Sequence, residues 1–314
     1  MGKFTVVPIW IVEDIVIYIF GAIVLLFIVR REERPGSIIL EMLSFCFLYA
    51  AVYENFATLM GLYGYGRSIL MIFNVPFSVP LVEYLVVYST LRILEREGIP
   101  FWAKPWIVGL AGMLFDFSLD PVAMKQVFET PEGTVGRWTW FPGLGDVQIF
   151  GEPVYNYTGW IMLCGFFAAA ILAGRAWYRK SGYKPSVGTA YPILCSLGAL
   201  LVLVSPISQF VIWLAPFFQK GSVGEWIMLG VNASVGLCFV IRYALPARSA
   251  GRSPGRETPA LLVLFAAPLL NLLICLASGY WDIAWLVDIS ALVLAAGTLW
   301  MLSGPRAAEV AAGG

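Results

Sequence analysis

Two aspartates, Asp116 and Asp120, stand four residues apart in the apolar run GMLFDFSLDP, which reaches Pro121. A polar loop with Trp138, Thr139, Trp140 and Phe141 follows. Phe150, Gly151, Glu152 and Pro153 then lead into a new apolar run holding Asn156 and Trp160. Side chains at i and i+4 share a helix face, so both aspartates can point into one cavity. An acidic side chain within a membrane helix costs about 2.5–3.5 kcal/mol at the helix centre on insertion scales, which makes each a candidate functional residue. Desolvation disfavours a charged carboxylate, and a second carboxyl nearby disfavours it further, so one of a pair can hold a proton at neutral pH. An acid beside electron-rich aromatic faces suits protonation of an alkene and stabilisation of the carbocation, with cation–π attraction of about 0.5–2 kcal/mol per ring. Capture by water is hydration; loss of another proton or ring closure is isomerisation or cyclisation. A polyene dissolved in the bilayer is the natural substrate for such a pocket.

The elements that must position these groups are membrane helices. The chain has 314 residues, 60% hydrophobic and 13% charged, with a mean hydropathy of +0.81; charged residues in soluble domains run at about 25%. The expected fold is therefore all-α, a polytopic helical bundle. Its 20 basic and 20 acidic residues balance, which gives no reason to expect a nucleic-acid partner. There is no histidine, so the commonest near-neutral base and metal ligand is missing and acid–base work falls to carboxylates, Tyr, Lys or water. Cys46, Cys164, Cys195, Cys238 and Cys275 lie singly in apolar runs and read as small buried hydrophobes rather than a disulfide or metal set.

Apolar runs of about 20 residues suffice to cross a bilayer core of about 30 Å. Nine are expected (seven to nine, allowing for the closely spaced last pair): about 8–29, 37–60, 69–91, 101–122, 154–176, 189–215, 224–245, 259–278 and 281–302. The first reads as a retained span rather than a signal peptide. Pro76 and Pro80 predict kinks in the third run and Pro206 in the sixth; the fourth apolar run stops at Pro121, and the rival reading of Asp120 is a solvated residue at its lip. Fifteen of the 20 basic residues fall in one alternate set of loops. The positive-inside rule then puts the N-terminus outside and the C-terminus in the cytoplasm, as a multi-pass protein of the cell inner membrane. Organisation follows: a membrane catalytic body over 1–245, a basic cytoplasmic linker over 246–258, a C-terminal transmembrane hairpin over 259–303 and a disordered tail over 304–314.

In that topology Glu54 and Asn55, Asn74, Asp116 and Asp120, and Asn156 all fall toward the outer side, with Glu83 nearer the middle. One pocket opening toward the outer leaflet would gather them with the Trp138 loop. Glu13 and Asp14 lie on the same side and read as interfacial. Glu41, Asn232, Asn271, Asp282 and Asp288 form no usable pattern.

The segments YENFATLMGLYGYG, NVPFSVPLVEYLVVY, FDFSLDPVA, WTW and FGEPVYNYTGW together resemble the integral-membrane carotenoid-biosynthesis family typified by carotenoid 1,2-hydratase (bisanhydrobacterioruberin hydratase-like). The likeness covers about residues 49 to 165. It implies hydration of the terminal C1–C2 double bond of an acyclic carotenoid to a tertiary alcohol without a redox cofactor. The matching positions are Glu54, Asp116, Asp120, Pro121, Trp138, Trp140, Asn156 and Trp160. VPLVEY is also similar to the proline-and-glutamate motif of small membrane lycopene cyclases, which keeps cyclisation open.

The reading is then a carotenoid hydro-lyase with Asp116 as proton donor and Asp120 or Glu54 orienting water. Trp138, Trp140 and Trp160 would flank the cation, Asn156 would hold the water or an acid, and Glu83 and Asn55 would complete the substrate site. Neither a cofactor nor a metal is expected. Its partners would be an acyclic carotenoid or other polyprenoid, membrane lipid and other carotenoid-pathway enzymes. A membrane prenyltransferase using Asp116 and Asp120 to hold Mg²⁺, and a non-catalytic isoprenoid or lipid carrier, are the rivals.

Overall fold

The computed structural model describes residues 8–130, 133–143, 145–205, 223–247 and 257–302. Nine helices occur among them: α1 (Ile9–Arg31), α2 (Pro35–Leu59), α3 (Ser78–Arg96), α4 (Lys104–Lys125), α5 (Val154–Lys180), α6 (Pro185–Leu203), α7 (Val223–Ala244), α8 (Thr258–Ala277) and α9 (Trp281–Leu302). The helical-bundle expectation holds. All but α3 are long and apolar enough to cross a membrane.

Helix α3 departs from the expected third run, 69–91. Residues Met71–Ile72 and Val75–Pro76 instead form a small antiparallel hairpin (β2, β3) turning at Phe73, whose φ is +54°. Pro76 therefore precedes the helix, and Pro80 sits in its first turn, where a missing N–H costs nothing. Neither breaks a helix interior. Every residue from Pro80 to Leu91 is buried, because α3 runs through the middle of the bundle against α1, α2, α4 and α8. That position explains how it carries Glu83 and Arg92 within an apolar assembly. The sixth helix stops at Leu203; Pro206 lies outside the described residues, as do 248–256 of the linker and the whole 304–314 tail.

Among the described helices, α4 and α5 pack together most extensively. A Cβ on Gly109 would come within 2.5 Å of the Ile161 carbonyl oxygen, and one on Gly112 within 2.6 Å of Cys164 Sγ. Small residues let membrane helices approach to backbone contact, where van der Waals packing drives association. Gly109→Ala is expected to destabilise the protein by about 1–3 kcal/mol through overpacking. Gly198→Ala, where a Cβ meets nothing within 4 Å, should be neutral or slightly stabilising. Thermal unfolding of both variants in detergent checks this pair; a Gly109→Ala midpoint equal to the parent's would refute the close-approach argument.

At the end of the bundle where α1 and α3 begin, short strands close over the helices: β1 (Tyr63–Tyr65), β4 (Val127–Thr130), β5 (Gly133–Gly136), β6 (Trp138–Trp140), β7 (Gln148–Ile149) and β8 (Glu152–Pro153). Strand β1 pairs with β6, β4 with β5 and β7 with β8, all antiparallel. The opposite end is tied by ion pairs. Arg175 on α5 bonds Glu41 on α2 and Glu95 on α3, and the Tyr191 hydroxyl on α6 donates to Glu41 at 2.7 Å. Arg92 bonds both Glu32 and Glu257. The C-terminal hairpin, α8 and α9, packs along α4.

Candidate active site

Helix α4 does not end before Pro121. It continues to Lys125 with the proline inside it, so Asp120 is a helix-interior residue and not a lip. Both aspartates are fully buried, at 0% exposure. They lie on the α4 face that meets α5, one and two turns beyond Gly112.

A third carboxylate, not singled out from the sequence, completes the group. Phe150 and Gly151 adopt φ of +56° and +94°, a conformation that turns the β7–β8 hairpin back on itself. The turn carries Glu152 into the interior beside the first residues of α5, where it is also 0% exposed. Oxygens of Asp116, Asp120 and Glu152 all lie within 4.8 Å of one another. Asn156 is the shared donor: its Nδ2 donates to Asp116 Oδ2 at 3.0 Å, more weakly to Asp120 Oδ2 at 3.5 Å, and closely to Glu152 Oε1. The Tyr157 hydroxyl donates to Glu152 Oε2 at 2.6 Å. Burial, followed by the charge of Asp120, pushes the Glu152 carboxyl well above the ordinary carboxylate range. No Lys or Arg among the described residues forms an ion pair with the three. Such a group is satisfied by a proton shared between carboxyls or by a divalent cation. Oδ1 of each aspartate is left without a hydrogen-bond partner.

An aromatic wall packs on the same two helices, through Ala123, three residues past Asp120, and Tyr155, the neighbour of Asn156. Strand pairing sets Tyr63 opposite Trp140 and Tyr65 opposite Trp138. Alternation along each strand puts all four rings on one face. Ring centroids are 4.5 Å apart for Tyr63 and Trp140 and 4.9 Å for Tyr65 and Trp138, and Tyr155 of α5 meets Trp140 edge-on at 6.4 Å. On α2, Glu54 Oε2 accepts hydrogen bonds from the hydroxyls of Tyr63 at 2.7 Å and Tyr65 at 2.5 Å. Both hydroxyls are pushed well above the usual tyrosine range by burial and then by the charge of Glu54. Glu54 lies within electrostatic reach of Asp116 and Asp120. The indole N–H groups of Trp138 and Trp140 are buried donors without an acceptor, and such orphans in a native interior call for an explanation.

Other sequence candidates fall elsewhere. Asn55 braces the β2–β3 hairpin: Nδ2 donates to the Ala51 and Ile72 carbonyls, and Oδ1 accepts from the Asn74 amide. Trp160 packs in the main helical core and not with the Trp138–Trp140 cluster. Glu83 is buried on α3 with Oε2 unpartnered, within electrostatic reach of Glu54. Glu13 and Asp14 are buried within the protein and paired. Arg137 bonds Glu13 and lies 3.6 Å from Asp14, Gln126 donates to Glu13, and Ser68 donates to Asp14. The single outward-opening pocket is thus two separate polar clusters joined by the β5–β6 segment. Glu41 and Asp282, unpatterned in the sequence, are ion-pair partners of Arg175 and Lys125.

A family model described as carotenoid biosynthesis protein matches residues 13–218. The chain belongs to that family. The matched region holds every carboxylate and aromatic residue of the site and stops before α7. No curated protein and no solved structure matches the chain. Membership makes this a membrane protein of carotenoid biosynthesis, acting as a pathway enzyme on a carotenoid.

Proposed function

We propose that the protein hydrates the terminal C1–C2 double bond of an acyclic carotenoid. The observation that carries the reading is a fully buried trio of carboxyls, bridged by one asparagine amide, with a wall of four aromatic rings packed on the same helices, α4 and α5. In the proposed step the Asp116 carboxyl gives its proton to C2, and the π electrons of the double bond form the new C–H bond. The tertiary cation left at C1 is held against Trp138 and Trp140, whose negative ring faces stabilise it. Water adds at C1, and its surplus proton passes to a carboxylate of Asp120 or Glu54, restoring the acid by exchange within the Glu152–Asn156 network. The product is a tertiary alcohol one water heavier, with no electrons gained or lost. Tyr63 and Tyr65 keep Glu54 fixed, so its charge faces the cation. Trp160 has no part in this scheme. The distribution of basic residues supports placing this end of the bundle on the outer side of the cell inner membrane.

Expression in bacteria that accumulate lycopene, followed by chromatography and mass spectrometry of the pigments, tests the proposal. A more polar pigment heavier by one water is expected. An isomer of unchanged mass would replace hydration with cyclisation or isomerisation. Unchanged lycopene, with the protein present in the membrane, would count against hydration of this substrate.

The three clustered carboxylates favour one competing reading, a divalent cation held for prenyl diphosphate chemistry. Hydration as written needs no metal, so activity that survives EDTA supports it, and activity abolished by EDTA and restored by Mg²⁺ supports the competitor.

A further inference from the structure

A long, half-open apolar cavity of about 700 Å³, with Leu237, Val293 and Trp300 exposed along its mouth, lies on the side of α4 away from Gly109, Gly112 and Asp116, between α3, α4, α7 and α9. Small-molecule sites run to about 300–1,000 Å³. Helix α4 contributes Ile107, Leu110, Ala111 and Leu114, a spacing that makes one continuous face. Along α7 the lining runs from Gly230 to Ala244. At 1.5 Å per residue that is roughly 20 Å, parallel to the bundle axis. The Thr90 hydroxyl bonds the Val86 carbonyl at 2.8 Å, and the Thr298 hydroxyl turns to the Leu264 carbonyl, so neither presents a free polar group. Glycines hold the walls apart: a Cβ at Gly230 or Gly297 would meet nothing within 4 Å.

The cavity adjoins the candidate active site at one end. Leu110, Leu114 and Ala233 line it and also pack on the cluster formed by Met113, Tyr157, Ile161 and Leu229. Tyr157 in turn donates to Glu152. Leu114 and Tyr157 thus link the cavity's lining to the carboxylates through a chain of direct contacts.

We propose that this cavity binds the unreacted length of a polyisoprenoid chain, extended along α7, while the chain's end reaches the carboxylates past Leu114 and Tyr157. The inference rests on the hydration reading for what happens at that end, but the binding itself does not. An elongated space lined almost wholly by apolar side chains, with Ser234 the one hydroxyl on it that bonds no carbonyl among the described residues, suits a long, methyl-branched hydrocarbon chain. Its shared wall with the site suits a ligand that occupies both.

The test is co-purification from lycopene-accumulating bacteria. The full-length parent and a Gly230→Leu/Gly297→Leu variant are extracted in mild detergent, and bound lycopene per protein is measured by absorbance and chromatography. The parent should retain pigment, and the variant at least tenfold less, with an unchanged thermal midpoint showing that the filled cavity still folds. Equal retention by both proteins overturns the inference, even if a hydrated product is made. No pigment in either, or phospholipid alone in the parent, overturns it as well. Pigment bound by the parent and lost in the variant, with no hydrated product from either, upholds the cavity while defeating hydration.

Discussion

Replacing Asp116 by Asn is expected to cut hydrated product by about a hundredfold or more, the scale of a lost general acid. The protein should remain in the membrane at the parental level. The reason for separating activity from folding is local. Asn156 Nδ2 donates to Asp116 Oδ2 at 3.0 Å, and an asparagine carbonyl oxygen accepts the same bond in nearly the same place. Asparagine is also neutral, like the protonated Asp116 it replaces, so the charge among the three clustered groups is unchanged. What asparagine cannot do is release an acidic proton to an alkene carbon. Product quantified by chromatography per unit of membrane protein decides the matter, and parental turnover in the variant would remove Asp116 from the role of acid.

The second large effect concerns stability at the far end of the bundle. Glu41 is 1% exposed and is gripped through both oxygens by Arg175, at 2.8 and 2.5 Å. Removing one partner of a buried ion pair costs about 3–5 kcal/mol, because the remaining charge has neither water nor a counter-ion. Arg175→Met should therefore lower the thermal midpoint sharply, and the loss joins α2, α3, α5 and α6, since Glu95 and Tyr191 share the network. Replacing both members, Arg175→Met with Glu41→Leu, should recover most of that loss, since apolar replacements of whole pairs are often neutral or better. A double variant no more stable than Arg175→Met would show that the pair's geometry, not the stranded charge, matters.

Much of the architecture could be read directly from the chain, since apolar runs of sufficient length leave few alternatives to membrane helices. The third run misled because its proline-containing start, next to Asn74, folds as a hairpin, which hydropathy does not distinguish from a helix. Pro121 misled in the opposite sense: a proline in a buried, closely packed helix is carried through, although the rule for helix ends is sound for exposed ones. Asp116, Asp120 and Asn156 were recognisable from local spacing and order. Glu152 was not, because its entry into the site depends on two consecutive positive-φ residues, for which Gly151 was the only visible hint. Tyr63 and Tyr65 escaped notice because their role comes from pairing with a strand some 75 residues away. Trp160 was grouped with the other tryptophans by type, whereas its position on α5 turns it into the helical core.

The Arg137 linkage bears on how the protein is built. Glu13 and Asp14 belong to the first helix, and their counter-ion is 124 and 123 residues later in the chain. During synthesis from the N-terminus those two acids must wait for the fourth helix and its following strands to be made. Until then each faces a lipid cost of about 2.5–3.5 kcal/mol at depth, so the first helix has reason to linger at the water interface. Arrival of Arg137 would seat that helix and, in the same movement, set Trp138 beside Tyr65. Formation of the aromatic wall is thereby expected late in biogenesis, after the fourth helix and its following strands are made.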